Sequence, residues 1–382
     1  MPKLKIQTLQ EMFERFFKLE ENWVLFYDMF SKNHCGDSTA PIAEKLRAAR
    51  PGLKFFFVKK RGKKIEIPLA DEIVDEDSLK LRYVLMKAKF VVSPMGYPFR
   101  GVKRSGQVFV QTWHGTPLKK LYLSRDKTMP HNKRYARRFK NTDVFCVSCE
   151  FAKEAFKEAL ELKDNQFIKS GLPRNDILSP ARDNQKLIEK IKAELGLPKG
   201  KKIILYCPTW RKYGSKAGAS LPFDVERMKK ELGGEYAILI RSHVGKQAWV
   251  DSKGKPANIF DGEFSFDGGT WGEATQLYLI SDIMVSDYSS AVFDFAITQK
   301  PQIMYAYDLE KYQKEFGLYL DYEREFAAFP VAKTEEELIA SIKNIANFER
   351  DWGQKYRAFK ENFCAYEKGD AADQIVNYIL SK

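Results

Sequence analysis

Short apolar runs alternate with amphipathic stretches along this chain, twice over, and that pattern restricts it to a parallel α/β architecture. In the first half the apolar runs are Trp23–Tyr27, Lys54–Val58, Phe90–Ser93, Val108–Trp113, Asp143–Val147 and Phe167–Ser170. Helical periodicity separates most of them, over Ala40–Ala49, Ser78–Ala88 and Phe151–Leu160. Strands covered by helices on both faces read as continuous apolar runs, which is what a parallel sheet requires. Around Ser179-Pro-Ala-Arg-Asp183 the pattern resets, with a charged amphipathic helix over Asn184–Leu195. It then restarts with Lys202–Cys207, Tyr236–Arg241, Asn258–Phe260, Asp282–Ser286 and Gln302–Tyr305, and turns wholly helical after Thr334. A chain of 382 residues with 44% hydrophobic content can fill two cores. The expectation is two Rossmann-type doubly wound domains, residues 1–178 and 179–382, with the boundary near 175–185. They should face a central cleft that holds the ligand.

Four of the expected strands end in polar groups. Val108-Phe-Val-Gln-Thr-Trp-His-Gly-Thr-Pro117 delivers His114 to a sharp turn, with Gly115 as the turn, Thr116 as an N-cap and Pro117 as the first helical residue. In open α/β sheets, ligands bind outside the carboxyl ends of the strands. The chain has only four histidines, so a second one in a comparable place, His243, is informative. In Ile203-Ile-Leu-Tyr-Cys-Pro-Thr-Trp-Arg211, Pro208 stops the strand and leaves Thr209 and Arg211 at its mouth. In Ala237-Ile-Leu-Ile-Arg-Ser-His243, Arg241 and His243 alternate outward. In Ser281-Asp-Ile-Met-Val-Ser-Asp-Tyr-Ser-Ser-Ala-Val-Phe-Asp294, Asp287 ends the strand and Ser289 or Ser290 caps a helix through Ala291–Ile297. A helix N-terminus with adjacent hydroxyls favours phosphate. Arg241, Arg211 and His243 would reach the same anion, and Asp294 is counted with the substrate-binding set. The plainer alternative is that the two serines only cap their helix.

Charge narrows the partners. Lys and Arg outnumber Asp and Glu by 64 to 51, a net charge of +13, which predicts nucleic acid, an acidic lipid surface or a phosphorylated substrate. Nine basic residues and one acid lie between Lys119 and Lys140, either a solvated face or an anion-attracting rim beside His114. Nucleic acid is the weakest of these readings, because no recognisable binding motif or aromatic stacking pattern accompanies the charge. Five scattered cysteines argue against a disulfide scaffold, and Cys146-Val-Ser-Cys149 lacks the second pair or nearby histidine of a zinc site. Near the start, Ile6, Leu9, Met12, Phe13, Phe16 and Phe17 fall on one helical face, which fits a membrane surface or packing against its own domain. No run approaches the ~20 apolar residues of a membrane span, and no signal peptide is visible, so a cytoplasmic chain is expected. A GxxxxGK[ST] loop, a strand-linked GxGxxG and a GxSxG elbow are all missing, which disfavours P-loop kinases, nicotinamide dehydrogenases and α/β-hydrolases. No metal-ligating cluster and no cofactor motif stand out. Metal-free transfer from a diphosphate donor remains, with cations and a helix end neutralising the leaving phosphate.

Taken together, Gln111-Thr-Trp-His-Gly-Thr-Pro-Leu-Lys-Lys-Leu121, Gly171-Leu-Pro-Arg-Asn-Asp-Ile-Leu178, Leu205-Tyr-Cys-Pro-Thr-Trp-Arg211 and Ser286-Asp-Tyr-Ser-Ser290 resemble the CDP-glycerol glycerophosphotransferase family of teichoic-acid and capsule synthesis. The likeness continues through Lys300-Pro-Gln-Ile-Met-Tyr-Ala-Tyr-Asp308 and Gly317-Leu-Tyr-Leu-Asp-Tyr322, spans roughly residues 90 to 340, and is loose before residue 90. It implies a GT-B-like pair of Rossmann-type domains with the final helices crossing back. It also implies transfer of glycerol phosphate from CDP-glycerol to a lipid-linked saccharide or polyol-phosphate hydroxyl, with release of CMP at an anionic membrane surface. His114 matches the histidine regarded as general base, and an ordinary imidazole is largely neutral at cytoplasmic pH, fit to take a hydroxyl proton. His243, expected to be catalytic with His114, also matches the region that holds the donor diphosphate, as do Arg241, Asp287, Ser289 and Ser290. Two departures bear on the substrate. Val244 follows His243 where the family commonly has proline, and Phe316 precedes Gly317 where it commonly has arginine. CDP-ribitol, or a nucleotide-sugar donor on the same two-domain frame, are the alternatives.

Overall fold

Side chains on the central strands alternate between two buried faces. In Glu20–Phe26 (β1), Val24 and Phe26 join one core while Leu25 joins the opposite one. In Lys54–Lys59 (β2), Phe55 and Phe57 oppose Phe56 and Val58 in the same way. A sheet buried on both faces explains why these strands read as unbroken apolar runs. The computed structural model describes residues 18–29, 35–98, 103–179, 185–209, 221–241 and 258–382. The apolar N-terminal face Ile6–Phe17, Arg211 and His243 lie outside the described residues.

The remaining strands are Glu72–Asp75 (β3), Ala88–Ser93 (β4), Val108–Gln111 (β5), Val144–Cys146 (β6), Phe167–Ile168 (β7), Lys202–Cys207 (β8), Tyr236–Ile240 (β9), Ser265–Asp267 (β10), Ile283–Ser286 (β11), Gln302–Tyr305 (β12) and Val331–Ala332 (β13). They form two sheets, ordered β3-β2-β1-β4-β5-β6-β7 and β10-β9-β8-β11-β12-β13, and all their pairings are parallel. Each is a doubly wound sheet whose strand order reverses once, between β1 and β4 in the first and between β8 and β11 in the second. The expected strand at Asn258–Phe260 is not one; the pairing segment is Ser265–Asp267, opposite Ile238–Ile240, and just before it Phe264 O accepts the Ile238 N–H at 2.7 Å. β3 and β13 are short edge strands with no apolar run to announce them.

Two compact units contain these sheets: Met1–His114 with Leu121–Asp176 and Tyr366–Lys382, and Gly115–Lys120 with Ile177–Ala365. In the first, helix Ala371–Leu380 supplies Ala372, Ile375, Val376 and Ile379 to the core shared by β1, β2, β4, β5 and helix Thr39–Ala49. The Gly171–Leu178 motif anchors that returning segment. Asp176 accepts the N–H groups of Ala371 and Ala372 at 2.9 and 2.8 Å, satisfying two first-turn donors of the helix. Glu367 accepts Leu172 N–H and Asn175 Nδ2 at 3.2 and 3.1 Å, and Arg174 pairs with Asp37 at 2.9 Å. Gly171 has φ +81°, and a Cβ there would lie 2.7 Å from Tyr366 O. Gly171→Ala should therefore cost about 2 kcal/mol or more of stability, from left-handed backbone and a main-chain clash together. Denaturant melts of the full chain test this, and an unchanged midpoint would remove the anchoring role.

In the second unit, Ile204, Tyr206, Ile238, Ile240, Ile283, Val285, Ile303 and Tyr305 pack under helices Val225–Leu232 and Glu335–Lys343. On another part of this unit, Phe293 stacks on Phe359 of helix Phe348–Phe363 at 5.6 Å. All five cysteines are free thiols.

Candidate functional site

In the first unit the site begins where β5 stops. Gln111 is fully buried, and its Oε1 accepts the Trp113 N–H at 2.7 Å. Trp113 takes φ +53°, unusual for a bulky side chain, and the chain turns sharply there. Its indole is held by Phe139, Phe145 and Phe156 at 5.4, 5.9 and 5.0 Å, and the His114 ring stacks on it at 4.6 Å with 16° between planes. The imidazole is thus fixed against a buried aromatic platform. Its Nδ1 lies 3.3 Å from the Pro94 carbonyl, at the tip of neighbouring β4. A carbonyl only accepts, so this bond puts the proton on Nδ1 and the basic lone pair on Nε2.

The turn after His114 differs from the sequence expectation. Gly115 has φ +137°, but Thr116 does not cap a helix and Pro117 does not start one. The chain runs extended instead: Lys119 bridges antiparallel to Leu318, Lys120 N–H donates to Gly317 O at 3.3 Å, and Tyr319 N–H to Leu118 O at 2.9 Å. Two motifs some 200 residues apart pair with each other. That long-range pairing overrides the local helix signal, and the first helical turn waits until Tyr122–Arg125. His114 consequently has no helix N-terminus immediately behind it.

In the second unit the strand order reverses between β8 and β11, the position where doubly wound sheets bind ligands. Two of the sequence motifs end these two strands. Ser286 Oγ donates to Cys207 O at 2.7 Å, and the Thr209 N–H donates to Asp287 Oδ1 at 2.8 Å, tying the tips together. The same Oδ1 accepts the Tyr288 N–H at 2.6 Å, and Asp287 is wholly buried. Half-buried Pro208 ends β8 beside Thr209. Arg241, at the tip of adjacent β9, is steadied by Nη1 bonds to Gly268 O and Trp271 O at 3.4 and 3.2 Å. The Cys207 thiol is pushed up to about 11, chiefly by burial, with Arg241 opposing the rise and Asp287 and Asp294 adding to it. Ser290 occupies the N-cap of helix Ala291–Ala296 without a hydroxyl bond to it, while Ser289 Oγ accepts the Ala291 N–H at 3.3 Å.

Pro208, Thr209, Arg241, Asp287, Ser289 and Ser290 thus gather at the carboxyl ends of β8, β9 and β11, Asp294 follows within helix Ala291–Ala296, and Gly115 and Thr116 belong to the same unit. His114 follows the carboxyl end of β5 in the first unit's sheet. Sequence reasoning passed over Gln111 and the Pro94 carbonyl, although a glutamine closing an apolar strand is a readable sign of a buried polar brace. It also passed over Tyr288, next to Ser289 in sequence, whose ring stacks on Tyr312 at 4.1 Å and meets Tyr322 at 5.4 Å. Among the described residues no group of three His, Cys, Asp or Glu side chains could hold a metal ion.

A sequence model of the family CDP-Glycerol:Poly(glycerophosphate) glycerophosphotransferase matches residues 9–381. The chain belongs to that family. The Staphylococcus aureus teichoic acid glycerol-phosphate transferase is 30% identical, over 99% of this chain and 98% of its own. The Staphylococcus epidermidis teichoic acid poly(glycerol phosphate) polymerase is 28% identical over 99% of this chain, which spans about half (53%) of that polymerase's length. The solved structure of the wall teichoic acid polymerase TagF superposes with a TM-score of 0.84 at 27% identity, covering 98% of this chain and 93% of that one. A histidine variant of the same polymerase soaked with CDPG matches equally well, with a TM-score of 0.84. The fold class is α/β and GT-B-like, as the family resemblance implies.

Proposed function

We propose that this glycerophosphotransferase family member transfers glycerol phosphate from CDP-glycerol to a hydroxyl of a lipid-linked saccharide or polyol-phosphate acceptor. The acceptor oxygen attacks the phosphorus that carries glycerol, the P–O bond to the cytidylyl phosphate breaks, and CMP departs with the bridging oxygen. His114 Nε2 takes the hydroxyl proton. Arg241 and the Ser289–Ser290 turn, with Thr209 and Gly115–Thr116, hold the donor diphosphate, and Asp287 and Asp294 brace that edge. Arg211 and His243 are assigned to the same donor group from their motifs alone. The observation that carries this reading is the Nδ1 bond from His114 to Pro94 O, within a family match that runs nearly end to end. It leaves an imidazole with its basic nitrogen in the tautomer that a general base needs.

Arg241→Ala should weaken CDP-glycerol binding about tenfold or more, since a charge-assisted contact to a diphosphate is lost. Titration calorimetry of the full chain measures it. Equal affinity in the variant would leave Arg241 as a brace for Gly268 and Trp271 only. CDP-ribitol is the second donor to titrate, because Phe316 stands where the family commonly has arginine. Nucleotide sugars, titrated beside them, should bind far more weakly.

The acceptor is reached at an anionic membrane surface. Lys127, Lys133, Arg134, Arg137 and Lys140 are exposed and make no ion pair among the described residues, and Met129 and Tyr135 are 47% and 46% exposed beside them. Exposed cations flanking apolar tips favour an acidic lipid interface. No helix among the described residues is long and apolar enough to cross a membrane. Sedimentation with vesicles rich in phosphatidylglycerol, but not with purely zwitterionic ones, is the expected result. Equal recovery with both would count against this surface.

A further inference from the structure

The loop that follows β4 offers four successive carbonyls, and each faces a side-chain nitrogen of a neighbouring element. Pro94 O faces His114 Nδ1 at 3.3 Å, and Met95 O accepts Gln111 Nε2 at 2.5 Å. Gly96 O and Tyr97 O accept Nη2 and Nε of one arginine, Arg138, at 3.0 and 3.3 Å. The Tyr97 N–H donates back to Arg138 O at 2.9 Å. A Cβ at Gly96 would sit 2.7 Å from the Arg138 Cβ and 3.1 Å from the Phe139 ring, so the loop lies directly on this segment. Gln111 grips the other side too, through Oε1 to the Trp113 N–H, one residue before His114. One buried amide therefore joins the turn that carries the imidazole to the loop that carries its hydrogen-bond acceptor.

We propose that Gln111 and Arg138 are positioning residues for His114. They hold the Pro94 carbonyl where it keeps the ring proton on Nδ1 and leaves the lone pair on Nε2. Free histidine in water prefers the opposite tautomer, so the protein must impose this one, and the bond made by one ring nitrogen decides which nitrogen carries the proton. Neither residue needs to touch substrate for this role. The inference rests on His114 being the base, but its test reads the ring itself.

The full chain is labelled with 15N-histidine, and the His114 signals are identified by their loss in His114→Asn. At about pH 8, where imidazoles are mostly neutral, the two nitrogen shifts report the tautomer without any substrate. The wild-type ring should be protonated on Nδ1. In Arg138→Lys, which keeps the charge but loses the two-carbonyl fork, and in Gln111→Leu, the ring should move toward the Nε2-protonated form. In the transfer assay kcat should fall about tenfold or more, within the roughly 100- to 10,000-fold that a general base is worth, with KM for CDP-glycerol nearly unchanged. Gln111→Leu leaves a buried carbonyl and N–H unmatched; should it fail to fold by circular dichroism, Arg138→Lys decides. A folded Arg138→Lys or Gln111→Leu protein that retains the Nδ1-protonated ring would overturn the proposal. A changed tautomer with an unchanged kcat would uphold the positioning and instead remove His114 as the base.

Discussion

Replacing His114 with alanine is expected to lower the rate of CMP release by roughly 100- to 10,000-fold, or about 3 to 5 kcal/mol of transition-state stabilisation, while CDP-glycerol still binds. His114 follows β5 in the first unit, whereas the groups proposed to hold the diphosphate follow β8, β9 and β11 in the second. The substitution leaves the Trp113 platform, the Gln111 brace and the Pro94 loop in place, because the imidazole meets them by ring stacking and a hydrogen bond to Pro94 O. What disappears is the nitrogen proposed to take the acceptor proton. Single-turnover assays with saturating donor, paired with calorimetry on the same protein, separate the two effects. Turnover at the wild-type rate would remove the base assignment. A parallel loss of donor affinity would mean that His114 serves binding as well.

Asp287→Ala should be the most damaging change at the donor edge. Its single Oδ1 accepts N–H groups from Thr209 and Tyr288, and the residue has no solvent exposure. Truncation leaves both donors buried and unmatched at the point where the β8 and β11 tips meet. Each such group costs about 1–3 kcal/mol, so roughly 2–6 kcal/mol is at stake, or a fall in Tm on the order of 10 °C for a unit of this size. The loop that presents Thr209 would loosen with it, and donor affinity should fall in step. Asp287→Asn separates geometry from charge, because its amide oxygen can still accept both N–H groups. It should keep most of the stability. Thermal melts that leave the alanine variant at the wild-type Tm would show that the two strand tips do not depend on this carboxylate.

The parallel sheets were legible because burial on both faces leaves an apolar run in the sequence, as in Phe55-Phe-Phe-Val58 or Ile203-Ile-Leu-Tyr206. Strands lacking that signature were not. Glu72-Ile-Val-Asp75 is a half-charged edge strand paired only with β2, and Val331–Ala332 is two residues long. The strand tips were legible for a related reason: polar residues that end an apolar run have nowhere to point but the sheet edge. Thr116-Pro117 misled because a helix-start signal is local and weak, while the pairing of Leu118–Lys120 with Gly317–Tyr319 is settled by residues far away in sequence. The same limit hid the Pro94–Tyr97 loop, whose acceptor role exists only once β4 and β5 lie side by side.

The nucleotide set free by the purified full chain tests the central claim most directly. The chain would be incubated with a membrane acceptor fraction and, separately, CDP-glycerol, CDP-ribitol and a panel of UDP- and GDP-sugars. Attack at phosphorus liberates a nucleoside monophosphate, so CMP from CDP-glycerol, dependent on acceptor, is the predicted result. A nucleoside diphosphate released from any sugar donor, with CDP-glycerol left intact, would contradict it.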